Sequence, residues 1–129
     1  MKINEIHHVA VNTRDFDKSI QFYTDVLKLE LLEEADLGGD YAAYIKCGKN
    51  SVLELFKMDQ RLKEDSSDDT KVGIRHIAFD VDHVDEWNYY LKQLEIPYRT
   101  ELMEIEAIRK KVLLIDAPDN VIVELSEGY

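Results

Sequence analysis

The chain has a single cysteine among its 129 residues, Cys47, so no internal disulfide can form. A lone thiol fits a reducing compartment, and a cytoplasmic setting is expected. Prolines number two, Pro97 and Pro118, both expected in connections, where a missing N–H costs least, and glycines five. Basic residues are also short, with 16 Lys and Arg against 27 Asp and Glu, a formal net charge of −11. Such an acidic surface argues against electrostatic partners such as nucleic acid or anionic membrane. No apolar run approaches the roughly 20 residues that span a bilayer. Residues 1–12 lack the basic-then-apolar order of a secretory signal. What remains is ordinary for a soluble globular protein: 45% apolar and 33% charged residues. A chain of this length buries about two-thirds of its unfolded surface and needs no covalent staples.

The chain is written twice. Ile6-His7-His8-Val9-Ala10-Val11 recurs as Ile74-Arg75-His76-Ile77-Ala78-Phe79, an interval of 68 residues between His8 and His76. Val52-Leu53-Glu54-Leu55 recurs as Ile122-Val123-Glu124-Leu125, an interval of 70. Two extra residues in the second half's loops account for the drift. Internal similarity at this spacing is the mark of a duplicated structural unit. The organisation expected is a first module over 1–57, an acidic linker over 58–72 and a second module over 73–129. The linker's centre, Lys63-Glu64-Asp65-Ser66-Ser67-Asp68-Asp69, is charged and nearly devoid of apolar residues.

Within each half the pattern predicts a strand, a helix and three strands. Ile3–Asn12 alternates and reads as a strand. Phe16, Ile20, Tyr23 and Leu27 fall at helical spacing over Asp15–Leu27, with Thr13 or Asp15 as N-cap. Strands follow at Leu31–Ala35, Tyr41–Cys47 and Ser51–Lys57, with Gly38-Gly39 and Gly48-Lys49-Asn50 as turns. The second half gives a strand at Ile74–Val81, a helix at Val84–Leu94 and strands at Tyr98–Met103, Arg109–Ile115 and Val121–Ser126.

Side chains alternate across a strand. Val9 and Val11 share one face of the first strand, and His8 and Ala10 the other. The repeat places Ile77 and Phe79 against His76 and Ala78 in the same way. A carboxylate between large apolar residues, as at Glu54 and Glu124, is costly to bury without a partner. Taken singly, each histidine is a core or surface residue and each glutamate a solvated strand position. The symmetric placement of all four points instead to one divalent metal held between two-fold-related halves. Imidazole nitrogen and carboxylate oxygen suit Zn, Ni, Co, Fe or Mn, and leave the identity open.

These segments, with Ser19-Ile20-Gln21-Phe22-Tyr23 and Pro118-Asp119-Asn120-Val121, resemble the vicinal oxygen chelate superfamily. That group includes glyoxalase I, bleomycin-resistance proteins and extradiol dioxygenases, and small bacterial glyoxalase-like proteins are the nearest in pattern. The resemblance implies an α+β fold of two tandem βαβββ modules forming an open, cup-shaped eight-stranded sheet. It implies His8, Glu54, His76 and Glu124 as metal ligands, the two-histidine, two-glutamate set of glyoxalase I. The implied chemistry is lyase or isomerase: proton transfer next to a carbonyl through a metal-bound enediolate, with Glu124 as leading base and Glu54 as alternative. A small-molecule substrate and a homodimer are implied as well, each site built from one chain or from two. Two positions depart from the pattern. Asn12 stands where glyoxalase I carries an arginine that helps bind glutathione, so glutathione use is not implied. Ala117-Pro118-Asp119-Asn120 replaces an Asp-Pro-Asp-Gly turn, and Asn can adopt the same geometry.

Alternatives from other classes are a drug-binding protein of the bleomycin-resistance type and an epimerase or dioxygenase of the same superfamily. The full four-ligand set favours the lyase or isomerase. Arg109 and Lys111, expected on one strand face, are candidates to hold a substrate carboxylate or phosphate, or else form a solvated strand end. Tyr41, Tyr44 and Tyr98 are expected as packing residues or cup lining. His7 is expected to face away from His8, and His83 to sit in the turn before the second helix. Cys47 is expected to be structural.

Overall fold

The alternating segment that opens the first half becomes strand β1 (His8–Thr13). Asp15 then caps helix α1 (Phe16–Gln21), its carboxylate accepting from the Lys18 N–H at 3.1 Å. The helix runs on into a π-helical turn, Phe22–Val26, and three strands follow: β2 (Glu30–Asp36), β3 (Tyr41–Lys46) and β4 (Val52–Lys57). The second half repeats the order as β5 (Ile77–Asp80), α2 (Val84–Gln93), β6 (Tyr98–Ile105), β7 (Lys110–Asp116) and β8 (Ile122–Gly128). This computed structural model describes residue 2, residues 4–58 and residues 74–128. The chain divides into two compact units, Met1–Glu64 and Asp65–Tyr129. From residue 59 onward the expected linker lies outside the described residues.

The eight expected strands form two four-stranded sheets, ordered β1-β4-β3-β2 and β5-β8-β7-β6. In each, the first and last strands pair in parallel and the remaining pairs are antiparallel. A parallel pair needs a long crossover, and the helix with the two intervening strands supplies it. In the first unit α1 lies against β4, and Leu53 and Leu55 of β4 are buried, as are Phe16, Tyr23 and Leu27. In the second unit α2 lies against β7 and β8, in which Leu113, Val123 and Leu125 are buried. Each sheet therefore commits one face to its helix, and the glutamates in the last strands fall on the other.

Three expectations shift. The strand expected from Ile3 starts only at His8, because its sole ladder partner, β4, opens with Val52 opposite His8. β5 likewise opens at Ile77, opposite Val123. Arg109, expected to open a strand, instead takes a left-handed conformation (φ 54°) after a 3-10 turn at Glu106–Ile108, so the strand begins at Lys110. The Asp119-Asn120 turn has positive φ at both residues, 64° and 61°, as a tight turn of this kind requires. No helix among the described residues is long and apolar enough to cross a membrane.

Candidate functional site

The parallel ladder of the first unit sets Ala10 of β1 opposite Glu54 of β4. The small side chain leaves room on that face, and His8, two residues earlier, turns to the same side. Its Nε2 lies 3.8 Å from Glu54 Oε1. On the other flank of Glu54 stands Tyr44 of β3, its partner in the antiparallel ladder. The Tyr44 phenol donates to Glu54 Oε2 at 2.6 Å. That hydrogen bond, then burial and the Glu54 and Glu33 charges, holds the phenol above its ordinary range. The glutamate side chain is 12% exposed and the histidine 45%. His7 does not turn fully away: its Nδ1 lies 2.9 Å from His8 Nδ1, with the rings edge to face. Strand alternation does not govern this pair, because His7 precedes the strand.

The second unit repeats the arrangement. Ala78 of β5 stands opposite Glu124 of β8, and His76 Nε2 lies 3.2 Å from Glu124 Oε2. The glutamate is 14% exposed and the histidine 29%. Leu114 takes the ladder position that Tyr44 holds in the first unit. His76 Nδ1 is buried and has no hydrogen-bond partner among the described residues.

Each unit thus supplies one imidazole and one carboxylate. Among the described residues no group of three or more His, Cys, Asp or Glu side chains gathers at one point. Nitrogen and oxygen donors without sulfur fit a divalent cation. The His76 ring turns Nε2 toward Glu124, and its buried Nδ1 has no hydrogen-bond partner among the described residues.

The remaining candidates fall elsewhere. Lys111 stands opposite Glu127 in the β7–β8 ladder, on the face that meets α2, and its ammonium binds Asp85 of that helix at 3.1 Å. That hydrogen bond holds it above the ordinary lysine range. Glu124 is on the opposite face of the same sheet. Arg109, outside the strand, borders a cleft of about 380 Å³ with Lys110, Lys111, Glu104, Glu106 and Glu127. The two basic residues therefore do not share a strand face, and the cleft is mixed in charge. Tyr41 packs its ring edge-on against Phe16 at 5.7 Å. Tyr98 is tied to α2, its hydroxyl donating to the Asn88 side chain at 2.8 Å with Lys92 over its ring. His83 precedes α2 without making a side-chain cap. Of the three tyrosines weighed from sequence, Tyr44 alone touches a candidate ligand. The turn at Gly48-Lys49-Asn50 fixes the hairpin register, and counting back from it sets Tyr44 opposite Glu54.

A family model described as the Glyoxalase/Bleomycin resistance protein/Dioxygenase superfamily matches residues 5–125. Among solved structures, a glyoxalase family protein from Enterococcus faecalis is 30% identical, with a TM-score of 0.81 over 98% of this chain and 100% of that one. A lactoylglutathione lyase from Agrobacterium tumefaciens is 28% identical, with a TM-score of 0.72 over 99% and 96%. The uncharacterized protein YwkD of Bacillus subtilis is 27% identical over 98% of this chain and 99% of its own.

Proposed function

The chain belongs to the Glyoxalase/Bleomycin resistance protein/Dioxygenase superfamily, and from that premise we propose that it is a metal-dependent lyase or isomerase resembling glyoxalase I. The proposed reaction moves a proton next to a carbonyl of a small cytoplasmic substrate. His8, Glu54, His76 and Glu124 hold one divalent ion in this reading, Ni, Co, Zn, Mn or Fe, within a single chain or across a homodimer. Such an ion, when bound, supplies Lewis-acid stabilisation of negative charge on adjacent substrate oxygens. The observation that carries the reading is the duplicated pair: an imidazole nitrogen beside a carboxylate at equivalent positions of both units. The similarity to a lactoylglutathione lyase supports the reaction class.

The protein's own part is to bind, exclude water and move the proton. Glu124, flanked in its ladders by Ala78 and Leu114, is the proposed base; Glu54 is the alternative. A low-polarity flank keeps competing donors away from a carboxylate that must accept a proton from carbon. Asn12 supplies no cation for a glutathione carboxylate, so other α-oxygenated substrates belong in the assay. Arg109 and Lys111 remain the candidates to hold a substrate anion, with Lys111 shared with Asp85 on the α2 face.

The test is solvent-deuterium exchange at the α-carbon of small α-hydroxycarbonyl compounds and hemithioacetals, followed by NMR on metal-loaded protein. Glu124→Gln is expected to lower exchange by about 10²- to 10⁴-fold, the usual worth of a general base. A folded, metal-loaded variant with full exchange would remove Glu124 from the role.

A further inference from the structure

The two histidine–glutamate pairs are equivalent in sequence but differ in what supports them. In the first unit both members are braced from behind. His8 Nδ1 lies 2.9 Å from His7 Nδ1, and Glu54 Oε2 accepts from the Tyr44 phenol at 2.6 Å. In the second unit, Leu114 replaces the tyrosine opposite Glu124 and brings no hydroxyl. His76 Nδ1, the counterpart of the braced nitrogen, is buried without a partner among the described residues.

The bracing is directional. Two ring nitrogens at 2.9 Å share one proton, so one ring donates and the other accepts. The geometry allows either ring to donate; the tautomer with His8 donating through Nδ1 is the one that leaves a lone pair on Nε2, the nitrogen turned toward Glu54. The phenol likewise occupies Glu54 Oε2 and leaves Oε1, the oxygen that faces His8. Both supports therefore engage the far atoms and present the near atoms, Nε2 and Oε1, to a common point. Outer hydrogen bonds of this kind fix the tautomer and orientation of a ligand.

We infer that His7 and Tyr44 are positioning residues that hold His8 and Glu54 of the first unit in a preset geometry for a metal ion. The inference rests on the reading that His8 and Glu54 hold a metal. Glu54 is pinned by the phenol, whereas Glu124 has only Ala78 and Leu114 opposite it in its ladders.

Cobalt(II) titration of the whole metal-free chain, followed by visible absorption, tests this. Tyr44→Phe keeps the ring and removes the hydroxyl; His7→Ala removes an exposed ring. Each is expected to weaken cobalt binding by about 10- to 100-fold and to change the cobalt absorption bands, while the melting temperature of the metal-free protein stays at the wild-type value. Should Tyr44→Phe fail to fold, His7→Ala carries the test alone. Folded variants with wild-type affinity and spectrum overturn the inference and leave the metal site standing. Wild-type protein that takes up no cobalt overturns the metal site and the inference with it.

Discussion

Cys47 shows how position alone sets the chemistry of one side chain. It is half-buried just past the end of β3, and burial pushes its thiol up, partly offset by a backbone hydrogen bond at Leu53. A raised pKa means less thiolate at a given pH, and the thiolate is the reactive form. Alkylation by iodoacetamide at pH 8 is therefore expected to be slower than for an exposed cysteine peptide, with the rate climbing past pH 9. Fast labelling at pH 8 would contradict that environment. The same positional logic explains which candidate residues stand out in the sequence. His8, Glu54, His76 and Glu124 stood out because strand alternation and the repeat both single them out. Tyr44 did not, because its importance lies in cross-strand register, which only the hairpin turn fixes. Alternation turns His7 away from His8, but the strand begins one residue later and the two rings meet. Lys111 has Asp85 as its partner, a residue distant in sequence that α2 brings to it.

At the scale of the element, the two helices show how local rules are met by distant residues. The residue before α2, His83, makes no side-chain cap; Glu127 of β8 accepts from the Val84 N–H at 2.8 Å instead. A carboxylate there satisfies an orphan donor and favours the helix dipole. Glu127→Ala is expected to cost about 1 kcal/mol in urea unfolding, as loss of a cap does; an unchanged midpoint would contradict it. At its other end α2 closes with the Ile96 N–H on the Leu91 carbonyl and the Glu95 N–H on the Lys92 carbonyl, both 3.1 Å. This Schellman arrangement forces Glu95 to a φ of 56°, where glycine is the favoured residue. Glu95→Gly is expected to stabilise by roughly 0.5–1 kcal/mol, the left-handed cost relieved less the extra freedom of an unfolded glycine. A destabilised variant in the same urea assay would refute this. The helices and strands were legible because their apolar periods are clean. Their ends were not, because ladder partners and cross-element caps set them.

For the whole molecule, duplication is the organising fact. Each half folds into its own βαβββ unit, and each unit sets one imidazole beside one carboxylate on the face its helix leaves open. Duplication also lets the halves diverge, as the exchange of tyrosine for leucine opposite the two glutamates shows. The repeat made the two-module architecture and the four candidate ligands legible from sequence. The division of the strands into two separate ladders was not legible, since it depends on where hydrogen bonding stops. The central proposal, that His8, Glu54, His76 and Glu124 bind one divalent ion per chain, is tested most directly by elemental analysis of protein purified without chelator or affinity-column metal. The wild-type chain is expected to carry about one divalent ion, and His8→Ala and His76→Ala, one from each unit, are each expected to lose it. A wild-type chain that holds no ion and takes up none when offered, or ion content unchanged in both variants, would contradict the account.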